Sequence, residues 1–561
     1  MLELVTLGLA CAWGVWTCTV ILVQGIGIFN LFRKYSKPPR RAAVEAFADH
    51  AAVPHVTVIR PTKGLEPCLY DCLASTCRQT YPLDRLSVCL CVESRSDPSF
   101  PVLQRIVADF SGALDVRLYV EQEDPLLHGP TGHVRNLGPN PKIRNISRAY
   151  RDIPAGDDEV VWIVDCNVWV PPGAAGRMVD KLFGFRAGEA EPADVPYKFV
   201  HQLPIVVDLG TSSQGLGAAL DEMFMATTHA KFYSAINTVG IAPCVVGKSN
   251  MFRKAHLERL TDPAQNPTVL TAEDARRGRG VDFFSSYICE DHLIGDLLFR
   301  SPLPGFRHHG LAAGDLAVQP MAPDVSVHAY AARRVRWLRV RKWTVLLATL
   351  VEPGVESLLC AVFGSFALTT LADRLPLLPA WSTAWFIQNS WASMLRCWLA
   401  MVAVWMAVDW FTSRRLQACR CLEVEFGEHS ETPACTSTPI FARGRGSPTG
   451  LPARPFVSWL RAWVGREVLA LPIWTYAVLL GATVAWRGKQ FHVRMDMSVV
   501  ELDEQGRQMR ESEAFPVTLS GSSSSSNSSS KAAVIDDTAL PTAEAASGRS
   551  SSRSGRKARL D

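Results

Sequence analysis

The sequence predicts an α/β domain held between N-terminal and C-terminal transmembrane helices. Three observations predict it: a long uncharged apolar run near the start, a middle region of short β-branched runs alternating with helix-like stretches, and a return to long apolar segments beyond residue 342. At 561 residues the chain has room for a full domain of roughly 100–200 residues or more and for membrane segments besides. Net charge is +4, from 58 basic and 54 acidic residues, so composition gives no support to a nucleic-acid partner. The charge asymmetry is local, with basic clusters beside apolar stretches, which is a membrane signature.

Residues 4–32 carry no charge and exceed the roughly 20 apolar residues needed to cross a bilayer. Arg33, Lys34, Lys37, Arg40 and Arg41 follow at once. A cleaved signal peptide would be shorter and would place its positive charge first. Residues 1–32 therefore read as a permanent anchor, with its C-terminal side cytosolic by the positive-inside rule. Over residues 53–327, runs such as His55-Val-Thr-Val-Ile59, Leu86-Ser-Val-Cys-Leu-Cys-Val92 and Val160-Val-Trp-Ile-Val164 suggest a mostly buried sheet. A basic juxtamembrane segment, 333–342, leads into a membrane region, 343–490.

That region holds three candidate segments. The first, 343–372, is broken by Glu352, Pro353, Gly354 and Glu356; it reads either as an interfacial helix followed by a span from about Gly354 or as one kinked span. The second, 385–411, contains Arg396 and Asp409, and the third is 467–486. The polar, basic loop 412–466 is expected in the cytosol. The basic exit Trp486-Arg-Gly-Lys489 favours a cytosolic tail, which would make one of the three segments interfacial or re-entrant. Residues 508–561, rich in Ser, Gly, Arg and Ala, lack the apolar content to fold and are expected to be disordered. Fifteen cysteines without a CxxC pair show neither a disulfide framework nor structural zinc. They read as small buried hydrophobes or exposed thiols, with acylation of Cys419 or Cys421 as the alternative.

Group transfer from a nucleotide diphosphate needs a cation to neutralise the leaving diphosphate, a carboxylate to take the acceptor's proton, and cationic side chains to hold the leaving group. Asp97, in Val92-Glu-Ser-Arg-Ser-Asp-Pro98, follows a predicted strand, where open α/β sheets bind ligands; alone it reads equally as a solvated turn. Asp165 ends the apolar strand Val160–Val164, so its carboxylate must be solvated, paired or metal-bound. Glu290-Asp291-His292 precedes a helix-like run, where carboxylates also simply favour the dipole. Arg333-Arg-Val-Arg-Trp337 stands before the second membrane segment. It reads as attraction to anionic lipid or as a diphosphate clamp.

In combination, three separated aspartates followed by Arg-x-x-Arg-Trp and membrane helices resemble family 2-type inverting glycosyltransferases of the GT-A fold. More closely, the chain resembles the ceramide glucosyltransferase family over about residues 1–490. The resemblance is carried by Ile59-Arg-Pro-Thr-Lys-Gly-Leu-Glu66, Asn140-Pro-Lys-Ile-Arg-Asn145, His201-Gln-Leu-Pro204, His229-Ala-Lys-Phe-Tyr233, Val246-Gly-Lys-Ser-Asn250, Glu290-Asp-His-Leu293 and the motif ending at Trp337.

The resemblance implies a role for each matching residue. Asp97 would face the nucleotide, Asp165 would bind the metal and diphosphate, and Asp291 would be the catalytic base. Arg333, Arg336 and Trp337 would form the final motif, Lys142 would contact the donor, and His229 would lie near the site, where a loop-bridging histidine is as good a reading. Two departures stand out: Arg144 where the family has Asn, and Cys166-Asn167 after Asp165 in place of a strict Asp-x-Asp. The implied partners are UDP-glucose, ceramide and the lipid bilayer, with Mg2+ or Mn2+ as cofactor. The implied setting is a multi-pass protein of the Golgi or ER membrane whose catalytic domain faces the cytosol. A processive membrane polysaccharide synthase and a non-catalytic membrane scaffold are the competing readings.

Overall fold

The computed structural model describes residues 1–128, 137–189, 191–210, 215–266, 270, 277–374, 387–423, 438–503 and 505–508. Of the tail expected to be disordered over 508–561, all but Gln508 lies outside the described residues.

The predicted runs form one seven-stranded mixed sheet. Its strands are β1 (His55–Thr62), β2 (Leu86–Val92), β3 (Asp115–Val120), β4 (Glu159–Val164), β5 (Tyr197–Asp208), β6 (Ser249–Arg253) and β7 (Arg307–Met321), in the order β3-β2-β1-β4-β6-β5-β7. β1 to β4 run parallel to one another, whereas β6 is antiparallel to both β4 and β5. Side chains alternate between faces along a strand, so Val58 and Ile59 enter different cores. Val58 and Trp162 pack with Leu73, Leu103 and Met178 from helices on one face. Ile59 and Ile163 meet Ile143, Ile146, Leu257 and Leu298 on the other. A sheet covered on both faces explains why its strands read as continuous apolar runs.

Helices Leu2–Lys34 and Trp391–Gln417 are long and apolar enough to cross a membrane. Leu346–Val355 and Ser357–Thr370 bend by 74° at their junction and add a third crossing if they form one span. Pro353 lies in the 3-10 turn Glu352–Val355 just before that break, where proline removes a helical donor and crowds the preceding turn, and Glu356 at the junction is extended.

The segment expected at 467–486 is not a span of its own. Helix Phe456–Trp474 starts earlier, continues through a π-helical turn Thr475–Leu479, and gives way to strand β8 (Thr483–Trp486). With β9 (Lys489–Val493) and β10 (Val499–Leu502), β8 forms a small antiparallel sheet. Tertiary pairing explains the discrepancy. Arg466 and Glu467 interrupt the hydropathy but are buried, and Arg466 reaches Asp409 of helix Trp391–Gln417 at 3.4 Å. Beyond Gly481, the alternating Thr483-Val-Ala-Trp486 finds strand partners.

The helices hold the sheet domain closely. A Cβ at Gly27 would lie 2.0 Å from the carbonyl oxygen of Lys231, so the first helix touches backbone of helix Ala230–Val239. Trp13 stacks on Phe363 at 4.0 Å, and Trp16 Nε1 donates to the Gly354 carbonyl at 2.9 Å. The Lys231 ammonium meets Asp409 at 2.6 Å, with both side chains almost wholly buried.

Candidate active site

The site is built where β4 ends. The antiparallel register that pairs Val164 with Ser249 sets the next residues, Asp165 and Lys248, side by side, and Asp165 N donates to the Lys248 carbonyl at 3.1 Å. The Lys248 ammonium contacts Asp165 Oδ2 at 2.9 Å and Asn167 Oδ1 at 3.2 Å. Asp165 Oδ1 takes a second ammonium, from Lys142, at 3.0 Å. Lys142 also meets Glu290 Oε1 at 3.1 Å.

Lys142 is placed by its helix start. Asn140 caps helix Pro141–Arg151 by accepting from the backbone N–H groups of Lys142 (2.8 Å) and Ile143 (3.2 Å), and Pro141 occupies the first turn, where its missing N–H costs nothing. The Asn140 amide donates onward to Glu290 Oε2 at 3.0 Å, which ties this helix to helix Glu290–Arg300. Asn145 donates to the carbonyls of Thr62 and Cys91, each at 3.2 Å, fixing the helix to the ends of β1 and β2. The fully buried Arg60 donates to the carbonyls of Cys166 (3.2 Å) and Val168 (2.9 Å), so β1 holds the loop that carries Asp165.

Asp291 lies over Gly247, where an added Cβ would come within 2.9 Å of its Oδ2. Three carboxylates, Asp165, Glu290 and Asp291, thus gather around Lys142 and Lys248. Burial pushes the Asp291 pKa up against the pull of Lys142, and the Asp165 charge adds to the rise. Glu290 is raised by burial against the same lysine, with Asp291 adding to the rise. Burial opposes the charge on Asp165, but Lys142 and Lys248 outweigh it and hold that carboxyl below its ordinary range. Burial likewise opposes the Lys142 ammonium, and Asp165, Glu290 and Asp291 outweigh it and raise its pKa. The result is one firmly ionised aspartate beside one that accepts a proton more readily than aspartate normally does.

Helix Val327–Arg341 closes another side. Arg333 pairs with Asp221 at 3.0 Å, donates to Gln319 of β7 at 3.1 Å, and lies over the Trp337 ring at 4.8 Å. Trp169, in the loop after Asp165, exchanges backbone hydrogen bonds with Val318, next to Gln319. The Arg-x-x-Arg-Trp helix and the Asp165 loop are therefore braced on the same strand. Arg336 has no hydrogen-bond or ion-pair partner among the described residues; burial, with repulsion from Arg333 and Arg487, lowers its pKa to about 10.

A family model described as glycosyl transferase family 21 matches residues 18–499. The chain belongs to glycosyl transferase family 21. Among relatives of this family 21 chain, a ceramide glucosyltransferase of Pyricularia oryzae is 56% identical over 505 residues, covering 89% of this chain and 96% of that one. Another, of Gibberella zeae, is 44% identical over 527 residues, covering 88% and 94%. Among solved structures, a mannosyltransferase of Pyrobaculum calidifontis in complex with GDP-Man and Mn2+ aligns with TM-score 0.33 at 18% identity, covering 71% of this chain and 98% of that chain. The fold is thus the α/β glycosyltransferase fold expected, carrying helices at both ends long enough for a membrane.

The remaining expected site residues of this family 21 glycosyltransferase fall outside the cluster. Asp97 spends its carboxylate on local structure, accepting from Gly64 N at 2.9 Å and from the backbone N–H and hydroxyl of Ser99 at 2.9 and 2.6 Å. It thereby joins the loops after β1 and β2. His229 ends a π-helical turn, with its ring stacked on Tyr233 at 5.1 Å. Burial, with Arg334 and Arg341 adding repulsion, lowers its pKa to about 3, so the ring stays neutral. Arg144, one of the two departures, pairs with Glu121 at 2.9 Å.

Lys248 carries no role in the sequence reading beyond its place in Val246-Gly-Lys-Ser-Asn250. A lysine within a motif of the resembled family was the available signal, but only the antiparallel pairing of β6 with β4 sets it against Asp165. Among the described residues no three His, Cys, Asp or Glu side chains form a metal cluster. The oxygens of Asp165 and Asn167 are nonetheless hard donors on one loop, both in contact with Lys248, and suit Mg2+ or Mn2+ completed by phosphate oxygens.

Proposed function

We propose that the protein transfers glucose from UDP-glucose to the primary hydroxyl of ceramide, with inversion, giving β-glucosylceramide and UDP. The observation that carries this reading is the pairing of unlike aspartates: Asp165 held ionised by two ammonium groups and Asp291 raised by burial beside it. The ceramide glucosyltransferase relatives support the acceptor and the sugar.

In this reading Asp291 takes the proton from the ceramide hydroxyl as its oxygen attacks the anomeric carbon. The new C1–O bond forms as the bond from C1 to the diphosphate oxygen breaks, and UDP leaves with the electron pair. Lys142 and Lys248 orient Asp165, and Arg333 and Arg336 hold the departing diphosphate. Asp165 and Asn167 would hold a divalent cation, which when bound neutralises charge on the leaving group. Asp97, which joins the loops after β1 and β2, would face the nucleotide from outside this cluster, and His229, stacked on Tyr233, would lie near the site.

A lipid acceptor fits the position of the cluster, since the Arg-x-x-Arg-Trp helix leads directly into the bent pair Leu346–Val355 and Ser357–Thr370. The basic run Arg33, Lys34, Lys37, Arg40 and Arg41 supports a cytosolic catalytic domain. Resemblance to ceramide glucosyltransferases supports the Golgi or ER membrane.

The test is turnover of the purified protein with several UDP-sugars and ceramides, with Asp291→Asn as comparator. Glucose transfer to ceramide with a β-linked product, lost in Asp291→Asn while UDP binding persists, is expected. Full activity of that variant, an α-linked product, or a polymeric product would each overturn the proposal.

A further inference from the structure

The turn between β8 and β9 belongs to a segment with no catalytic assignment, yet it reaches the site. Trp486 pairs with Lys489, leaving Arg487 and Gly488 as the two-residue loop of the hairpin. Both have positive φ, +52° and +82°, which is the backbone of a type I′ turn. Such turns favour Asn-Gly or Gly-Gly, because a longer side chain in the left-handed region crowds the backbone. An arginine there calls for a reason beyond the turn itself.

The hairpin is held against the elements that build the site. Val499 N donates to the Ser286 carbonyl at 2.9 Å, just ahead of Glu290 and Asp291. Val484, Phe491, Val493 and Val499 share a core with Ile288 and with Val340 and Trp343, which continue the Arg333–Trp337 helix. Arg339, from that helix, donates to the Thr483 carbonyl at 2.6 Å. The turn is thus fixed to both the Asp291 segment and the arginine helix.

Its two basic residues differ in state. Lys489 pairs with Glu501 of β10 at 3.0 Å. Arg487 is half-buried, lies over the Trp486 ring at 5.2 Å, and has no hydrogen-bond or ion-pair partner among the described residues. Its charge lies close enough to act on Arg336 and on Cys166, the residue after Asp165. Arg336 and Arg487 are therefore two guanidinium groups without anionic partners among the described residues, carried on elements that pack against each other and that feel each other's charge. Like charges so placed repel, and an arriving anion relieves that repulsion while gaining bidentate donors.

We propose that the β8–β9 hairpin forms a wall of the donor site and that Arg487 contacts the diphosphate of the nucleotide-sugar donor together with Arg333 and Arg336. The inference rests on the nucleotide-sugar reading above and extends the donor site to a C-terminal element outside the sheet domain. It separates Arg487 from the basic residues whose charge is balanced within the small sheet.

Arg487→Asn tests it cleanly, because Asn-Gly is the preferred dipeptide for this turn and keeps the hairpin while removing the cation. Binding of UDP and of uridine is measured on the purified full chain for wild type, Arg487→Asn and Arg487→Lys, along with KM for donor and for ceramide. The expected result is UDP binding weakened about tenfold in Arg487→Asn, roughly 1.4 kcal/mol, with uridine binding and ceramide KM unchanged and partial recovery in Arg487→Lys. Unchanged UDP binding in Arg487→Asn overturns the inference alone. Equal losses for UDP and uridine also overturn it, since they report a disturbed fold. Wild-type protein that binds UDP no better than uridine overturns the nucleotide-diphosphate reading and the inference with it.

Discussion

Replacing Lys142 with Met removes a cation shared by two site carboxylates. Its ammonium lies 3.0 Å from Asp165 and 3.1 Å from Glu290, with the side chain 8% exposed. At an effective dielectric of about 20, each contact carries roughly 5 kcal/mol of gross attraction. Desolvation offsets much of that, and removing one partner of a buried pair costs about 3–5 kcal/mol net. Lys142→Met is therefore expected to lose that much stability near neutral pH.

The sign of its pH dependence follows from the carboxylates left behind. Without Lys142, the folded-state pKa values of Glu290 and Asp291, already raised by burial, move further above their unfolded values. The folded variant then binds more protons than the unfolded chain above the ordinary carboxylate range, so its stability falls as pH rises through the raised values and recovers as pH falls. Denaturant or thermal unfolding in detergent across acid to neutral pH reads this directly. The acid limb of kcat/KM, set by protonation of the base Asp291, should also move to higher pH. A variant as stable as wild type at neutral pH, with an unmoved acid limb, would refute the assignment of Lys142 as the cation that balances the cluster.

Three further outcomes are expected. Gly247→Ala places a methyl 2.9 Å from Asp291 Oδ2, and displacing a reacting carboxylate by about 1 Å lowers kcat on the order of a hundredfold, with donor KM little changed; single-turnover kinetics check it. Lys231→Met strips the buried Asp409 of its 2.6 Å partner and should lower the unfolding free energy by about 3–5 kcal/mol, read as a lowered apparent Tm. Chelation should abolish turnover and Mg2+ or Mn2+ restore it, while Asp165→Asn should raise the cation concentration for half-activation by about tenfold or more; chelator-resistant activity contradicts the metal role.

Much of the fold was legible because its signals are local. Val58, Ile59, Val161 and Trp162 are apolar in consecutive positions, and that pattern already requires a sheet buried on both faces. Asp165, Asp291, Arg333 and Arg336 are singled out by their match to the ordered motifs of the resembled family. The 467–486 segment was misplaced at both ends, since it starts inside helix Phe456–Trp474 and ends in strand β8. Arg466 lies inside that helix as a buried cation, paired with Glu467 beside it and with Asp409 on helix Trp391–Gln417. Asp97 carries the same lesson at a smaller scale: its position after a strand was readable, but its commitment to Gly64 and Ser99 was not.

The sequence by itself determined an apolar first helix and a buried α/β sheet, since each depends on residue type and short-range spacing, and its ordered motifs carried the resemblance to glycosyltransferases. Only tertiary structure decided that Lys142 and Lys248 share Asp165, that Glu290 joins them, and that a C-terminal hairpin packs on the helix that carries Arg336. The physical reason is that charge balance in a buried site is set through space. Lys142 and Glu290, or Lys248 and Asp165, become neighbours only when strands and helices far apart in the chain are packed together.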